Sequence, residues 1–370
     1  MNKKIKKVII ISSFIIIILN LMGKRGTVVE ELDIPNAVGV DFQRMHKDEG
    51  IYNISVRTYF SESKFQNDSK VLEGEAINIG ETRDQRQLKA SKKYILGLEK
   101  VVVVGEEQAI YGIGTSMDIL IYNPEINDNA KVVVCKGKAK DILEYEAQKY
   151  GAADEYIGDL VERLQEFNFF IEDYTIMDCI IKSSSEGRNI VLPYIELTKK
   201  GIEVTGLAIF DKDKMVKKLN IEDTRILNLL RENNAKGNLT IQENYEKYIN
   251  YYAKSKRKVK CYKEGENYRF IIELNLKGPI VSNELYENLN NDSKVLKQFT
   301  HDMEKHVEKI CMDFIEKIQS SPNIDMLELG KVAAAKYGRG KGIDWNKEVM
   351  NSKIQVKVNV KVDSQGRGDY

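Results

Sequence analysis

The 370-residue sequence sets 57 Lys and Arg against 56 Asp and Glu, with 42% hydrophobic and 31% charged residues. That length suffices for two or three domains with their own cores. The charge balance withholds the cation surplus that a nucleic-acid binder needs to displace counterions from phosphates, so no nucleic-acid partner is expected. Cys135, Cys179, Cys261 and Cys311 contain no C-x-x-C pair, which excludes zinc-knuckle and thioredoxin-type motifs; all four are expected to be buried and reduced.

The chain opens with Lys3, Lys4, Lys6 and Lys7 ahead of an apolar run from Val8 to Met22, broken only by Ser12, Ser13 and Asn20. This is the pattern of an export signal. No small-residue cleavage site follows it, so residues 1–23 are read as a retained signal/anchor segment. Fifteen helical residues reach about 22 Å, short of a hydrocarbon core of about 30 Å, a gap that snorkelling lysines and local thinning would have to close.

Beyond it, Asp33–Phe42 is short and apolar-rich, and Ile51–Phe60 alternates as a strand does. Ser61–Lys70 is polar and reads as a loop. A helix is expected over Arg83–Leu98, with Arg83, Arg86, Lys89 and Lys93 on the wet side and Leu88, Ile95 and Leu98 opposite. Val101–Val104 and Val132–Cys135 read as buried strands, and Met117–Tyr122 as a third. Asp154–Phe167 is helical. Further on come a strand over Glu203–Phe210, a short helix over Asp223–Arg231 and a strand over Tyr268–Leu276. The longest helix is expected over Asp292–Gln319, whose apolar residues recur at three- and four-residue steps; Ser321-Pro322 stops it. The last strand is the clearest: Ile354, Val356, Val358, Val360 and Val362 alternate with polar residues. The tail after Asp363 is polar and is expected to fray. The pattern as a whole predicts a mixed α/β (α+β) multi-domain protein, with several mixed sheets flanked by helices behind the N-terminal hydrophobic segment. The expected divisions are 24–197, 198–363, with the latter open to division into two subdomains, and a flexible tail, 364–370.

Chemistry-bearing constellations are sparse. His301 and His306 lie five residues apart on the predicted helix, which turns their imidazoles to different faces, whereas a zinc pair needs a spacing of four. No G-x-S-x-G elbow and no spaced Ser-His-Asp set is present. Gly112-Ile113-Gly114 lacks the third glycine of a dinucleotide fingerprint and reads as a tight turn. Gly366–Tyr370 contains an Arg-Gly-Asp tripeptide, taken as coincidental. Glu172-Asp173 and the Asp211/Asp213 pair read as solvated loops rather than acid–base dyads. Lys254–Lys260 (KSKRKVK) reads as a solvated helix end or loop, with contact to anionic lipid as the alternative. No catalytic residue, cofactor or metal ligand is assigned.

Several phrases taken together resemble the Ger(x)C family, the C subunits of endospore germinant receptors. They are Leu72-Glu-Gly-Glu-Ala, Glu81-Thr-Arg-Asp-Gln-Arg, Gly97-Leu-Glu-Lys-Val-Val-Val-Val-Gly-Glu-Glu, Gly112-Ile113 reaching Met117-Asp118, Asn123-Pro-Glu-Ile and Lys136-Gly-Lys-Ala-Lys-Asp-Ile-Leu. Thr205-Gly-Leu-Ala-Ile-Phe-Asp-Lys-Asp-Lys-Met-Val follows, then Leu327–Gly330, Trp345 and the last strand. The resemblance rests on their order across residues 24–363. It implies a mixed α/β fold of about three domains and a non-enzymatic subunit on the extracytoplasmic face of the spore inner membrane. It also implies work with a multi-spanning A subunit and a transporter-like B subunit. One departure stands out: Leu21-Met22-Gly23-Lys24 puts lysine where family members carry the acylated lipobox cysteine, so lipidation there is chemically impossible. The expected partner contacts are Glu81, Arg83 and Arg86, an exposed charged cluster at a helix start, together with Asp211 and Lys214. The alternatives are an extracytoplasmic solute-binding module and an extracytoplasmic hydrolase.

Overall fold

The computed structural model describes residues 3–22, 31–46, 49–63, 66–147, 151–171, 174–289, 291–320 and 324–363. The expectations placed on Glu172-Asp173, Ser321-Pro322 and the tail from residue 364, Gly366–Tyr370 included, fall outside them. In chain order the elements begin with α1 (Lys3–Met22), β1 (Leu32–His46), β2 (Glu49–Ser63), β3 (Gln66–Ala76), α2 (Ile79–Gln87), β4 (Lys93–Tyr94) and β5 (Val101–Gly105). There follow α3 (Glu106–Tyr111), α4 (Gly114–Tyr122), β6 (Lys131–Cys135), α5 (Ala139–Glu144), β7 (Glu146–Ala147), β8 (Gly151–Ala152), α6 (Ala153–Arg163) with a 3-10 turn over Leu164–Glu166, and α7 (Ile176–Ser184). The second half contains β9 (Val191–Thr198), β10 (Gly201–Asp211), β11 (Lys214–Asn220), α8 (Ile221–Arg231), β12 (Lys236–Gln242), β13 (Tyr248–Glu264), β14 (Asn267–Gly278) and β15 (Ile280–Asn283). It closes with α9 (Ser293–Gln319), α10 (Leu329–Tyr337), α11 (Trp345–Met350) and β16 (Lys353–Val362).

Two mixed sheets organise these elements. The larger runs β11-β10-β9-β6-β5-β1-β2-β3, with β4 beside β1. Its centre is parallel, β1 to β5 to β6 to β9, and its flanks are antiparallel hairpins. The smaller runs β12-β13-β14-β16, with β15 on β13, and is antiparallel except for β14 with β16. The valine runs take the central places because both faces of a parallel sheet are covered. Val101, Val103 and Val133 enter one core, and Val102, Val104, Val132 and Val134 the other. Each such burial contributes about 1.5–3 kcal/mol relative to exposure. The first core continues into the smaller sheet through Phe270, Ile272, Phe299, Val307 and Val356.

The α9 helix begins where Asp292 caps it, its side chain accepting from Lys294 N at 2.8 Å. It buries Phe299, Met303, Val307, Cys311, Phe314 and Ile318 on one side. Its carboxylates also cover the open edge of β16: Val358 N donates to Glu308 Oε1 at 3.0 Å and Val360 N to Glu304 Oε1 at 2.9 Å. Those amides would otherwise offer a pairing edge to another strand.

Four local expectations are corrected. Ser61–Lys70 is not a loop: Thr58–Ser61 pair with Asn67–Lys70 in the β2–β3 hairpin. The helix expected over Arg83–Leu98 is instead α2, over Ile79–Gln87, because Asn78 caps it early by accepting from Glu81 N at 2.9 Å. Leu88 and Leu98, placed on its dry side, are exposed. Met117–Tyr122 is the second part of α4 rather than a strand, a run too short for apolar content to separate the two. Lys254–Lys260 lies inside β13, where Lys254, Lys256 and Lys258 stand on the wet face while Ser255 and Arg257 turn inward. Alternation of period two was hidden there because both faces are polar.

Candidate functional site

The α2 helix lies across β2 and β3 and is held by its own side chains. Thr82 is buried and its hydroxyl donates to Ile79 O at 2.6 Å. Arg86 Nη1 donates to Thr82 Oγ1 at 3.0 Å and to Ile54 O at 3.3 Å. Burial brings the Arg86 guanidinium down to about 10 and pushes the nearby Tyr94 phenol up to about 12.

Between α2, α4 and the sheet is a cavity of about 460 Å³, within the usual range for small-molecule sites of about 300–1,000 Å³. Val38, Val40, Ile54 and Val56 of β1 and β2 line it, with Ile79, Leu96, Ile119, Leu120 and Ile126. Its polar lining includes Arg83, Arg86, Lys92, Tyr94, Ser116 and Asn123. Ser116 Oγ and the Tyr94 hydroxyl are buried and, among the described residues, find no hydrogen-bond partner.

The five expected contact residues fall into two places. Glu81 and Arg83 are exposed on α2, Glu81 in the first turn where a carboxylate suits the helix dipole. Arg86 departs from the expected exposed cluster: it is half-buried and committed to the Ile54 carbonyl and Thr82. Asp211 and Lys214 face each other across the β10–β11 turn, at the opposite end of the sheet from α2. Asp211 Oδ1 accepts from Asn346 Nδ2 at 3.3 Å. The same turn holds the start of α4, since Ile113 N donates to Asp213 O at 2.8 Å and Gly114 N to Asp213 Oδ2 at 3.3 Å. Thus α4 touches the hairpin at one end and the cavity at the other, although the two charged sets never meet.

Sequence reasoning missed a buried ionic cluster that ties the two halves together. Arg231, with a fully buried side chain, donates from Nη2 to Glu328 Oε1 at 2.8 Å and to Asn189 O at 2.9 Å, from Nη1 to Met326 O at 2.8 Å, and from Nε to Glu232 Oε1 at 3.0 Å. Arg188 Nε reaches the same Glu328 oxygen at 3.1 Å, and Lys331 Nζ lies 3.5 Å from Oε2. Burial opposes ionisation of Glu328, but Arg231, Arg188 and Lys331 outweigh it and bring the carboxyl to about 2. Asp325 goes the other way. Burial raises it to about 6 against the pull of the Gly330, Leu329 and Leu327 amides. Packing here is tight enough to demand glycine. Gly187 has φ +71°, and a Cβ on it would lie 2.3 Å from the Gly330 carbonyl carbon and the Lys331 nitrogen. The only sequence signal was Leu327–Gly330 itself, which carried part of the resemblance without disclosing a charge network.

Among the described residues no group of three or more His, Cys, Asp or Glu is placed to hold a metal ion. His301 is exposed and His306 half-buried on α9, where burial lowers His306. All four cysteines are free and buried.

A family model described as "Spore germination protein N-terminal domain" matches residues 26–197, and one described as "Spore germination B3/ GerAC like, C-terminal" matches residues 205–366. The chain belongs to the Ger(x)C family of spore germination proteins. This Ger(x)C chain is 22% identical over 361 residues to the spore germination protein GerQC of Bacillus cereus, covering 95% of this chain and 98% of the relative. The crystal structure of the GerBC protein matches it with a TM-score of 0.56 over 89% of this chain and 98% of that one, at 15% identity. That likeness shows a shared fold, the mixed α/β arrangement expected from the sequence.

Proposed function

We propose that this Ger(x)C chain is the non-enzymatic C subunit of a nutrient germinant receptor, acting on the extracytoplasmic face of the spore inner membrane by docking with A and B membrane subunits. The observation that carries the reading is apolar exposure on two surfaces that no core explains. On α1, Ile10 is 67% and Phe14 64% exposed. Around α2 and α4, Ile77, Leu88, Leu98 and Tyr122 are exposed, as are Glu81 and Arg83.

Among the described residues no helix is long and apolar enough to cross a membrane. We take α1 as a shallow tether, with Lys6 and Lys7 at head-group level, standing in for the lipid that Lys24 cannot carry. Glu81 and Arg83 near the α2–α4 face, and Asp211 with Lys214 at the hairpin, are the proposed polar contacts with the membrane subunits; Arg86 holds α2 in place for them. The non-enzymatic reading is supported by how the raised carboxyls are used. Asp41 accepts from Ala139 N at 2.7 Å and Lys140 N at 3.0 Å, Asp325 from Leu327 N and Gly330 N, and neither lines the cavity.

Affinity purification of the tagged full chain from detergent-solubilised spore membranes should recover a multi-spanning subunit and a transporter-like subunit together. Recovery of the chain alone, at yields that retain other membrane complexes, contradicts the assembly. A version lacking residues 1–23 should leave the membrane fraction when the partners are absent; tight retention without them contradicts the tether.

A further inference from the structure

The cavity under α2 supports an inference that goes beyond the receptor-subunit reading and stands if that reading fails. Its floor is aliphatic, formed by Val38, Val40, Ile54 and Val56. Two arginines, Arg83 and Arg86, share its lining, and among the described residues no Asp or Glu does. A cavity whose lining is apolar apart from cations and neutral polar groups suits a ligand with an apolar body and a negative head. The second observation is independent of charge. Ser116 is only 3% exposed, it is among the residues lining the cavity, and among the described residues its buried hydroxyl has no partner. The Tyr94 hydroxyl is likewise buried and unpaired, and the charges of both Asp33 and Arg86 reach it. Buried polar groups without partners are costly, and a ligand oxygen brought against either hydroxyl would offset that cost.

We propose that this cavity binds a single-chain amphipathic anion, its chain on the valine and isoleucine floor and its carboxylate or phosphate head at Arg83, Arg86 and the Tyr94 hydroxyl. A free amino acid fits less well, because its ammonium would enter a site lined by two arginines and, among the described residues, by no carboxylate. The same chemistry occurs on a free medium-chain carboxylate and on a single-chain anionic membrane lipid, so both are tested.

The full chain is placed in zwitterionic-lipid nanodiscs, and binding of radiolabelled octanoate and of lysophosphatidylglycerol is measured by equilibrium dialysis in separate runs, with empty discs as blanks. Saturable binding of one equivalent by either ligand supports the proposal, and the tighter of the two identifies the source. Octylamine and L-norleucine should bind at least tenfold more weakly. Arg83→Gln, at an exposed position where folding is not at stake, should weaken the anion about tenfold and leave octanol unchanged. Leu120→Trp, which fills the cavity, should abolish binding of both, with circular dichroism verifying that the chain remains folded. No saturable binding of either anion overturns the proposal. So does anion binding indifferent to Arg83→Gln, or norleucine binding as tightly as octanoate.

Discussion

Replacing Glu328 with alanine should be among the most damaging single changes outside the hydrophobic cores. Its side chain is 9% exposed and shares one oxygen between Arg231 and Arg188. Removing one partner of a buried pair costs about 3–5 kcal/mol, because the other charge is left in a poor solvent. Here the lower end applies, since Arg231 keeps Glu232 and the Met326 and Asn189 carbonyls. Linkage gives a similar figure. Glu328 falls from an ordinary 4.5 to about 2, which corresponds to about 3 kcal/mol. A carboxyl lowered on folding stabilises fully above its unfolded value and loses that contribution as pH falls through the folded one. The penalty of Glu328→Ala should therefore be complete at pH 7 and shrink from pH 4.5 towards pH 2. With an unfolding entropy of about 2 cal/mol/K per residue, 3 kcal/mol lowers the melting temperature by about 4 °C. Glu328 also sits in the left-handed region at φ 53°, so Glu328→Gly should recover about 1 kcal/mol of the loss. Thermal unfolding followed by circular dichroism at pH 7 and pH 3 measures all three. A Glu328→Ala protein within 0.5 kcal/mol of the parent at pH 7, or equally impaired at both pH values, refutes the reasoning.

Asp325 predicts the opposite slope. Raised from 3.8 to about 6, it contributes stability that is complete below pH 3.8 and is lost as pH rises through 6; Asp325→Asn should flatten the stability profile between pH 4 and pH 6. Gly187→Ala should cost about 3 kcal/mol or more, combining a left-handed backbone with a backbone clash, read as loss of soluble yield or of melting temperature. Glu308→Ala removes a charge-assisted bond to the Val358 amide and should lower stability by about 1.5–3 kcal/mol, with hydrogen exchange at Val358 accelerating more than at Ile354.

The parts that were legible in the sequence are those where one physical term dominates. Val101–Val104 and Val132–Cys135 read as buried strands because they are almost wholly β-branched, and the three- and four-residue spacing along Phe299–Ile318 reads as a helix with one dry face. The alternating end of the chain gave β16 within a residue, and the glycines at 112 and 114 marked the turn that Asp213 now clasps. Elsewhere terms competed. No strand was expected over Val191–Thr198, where β9 runs; a proline there argues against a central strand, and Pro193 is tolerated because β6 pairs only with Tyr194 and Ile195. The β13 run KSKRKVK looked like surface because an inward Arg257 reads the same as an outward lysine until the Leu327 carbonyl that binds it is known.

The candidate site was half visible. Glu81, Arg83 and Arg86 drew attention as charges at a helix start, but their helix began earlier than expected. Nothing in one dimension turns Arg86 inward from α2 or brings Tyr94 and Ser116 to the same cavity. The ionic cluster joins residues 188, 231 and 328, a separation that no local pattern encodes. Shared burial selects such partners, and burial is a property of the folded chain.

The central claim is that this chain serves a nutrient receptor rather than carrying out a reaction. Spores of its native host lacking the chain, tested against a nutrient panel by loss of refractility, should fail to respond to at least one nutrient and recover when the full chain is restored. An unchanged response to every nutrient, or rescue by residues 24–370 expressed in the cytosol, would contradict it.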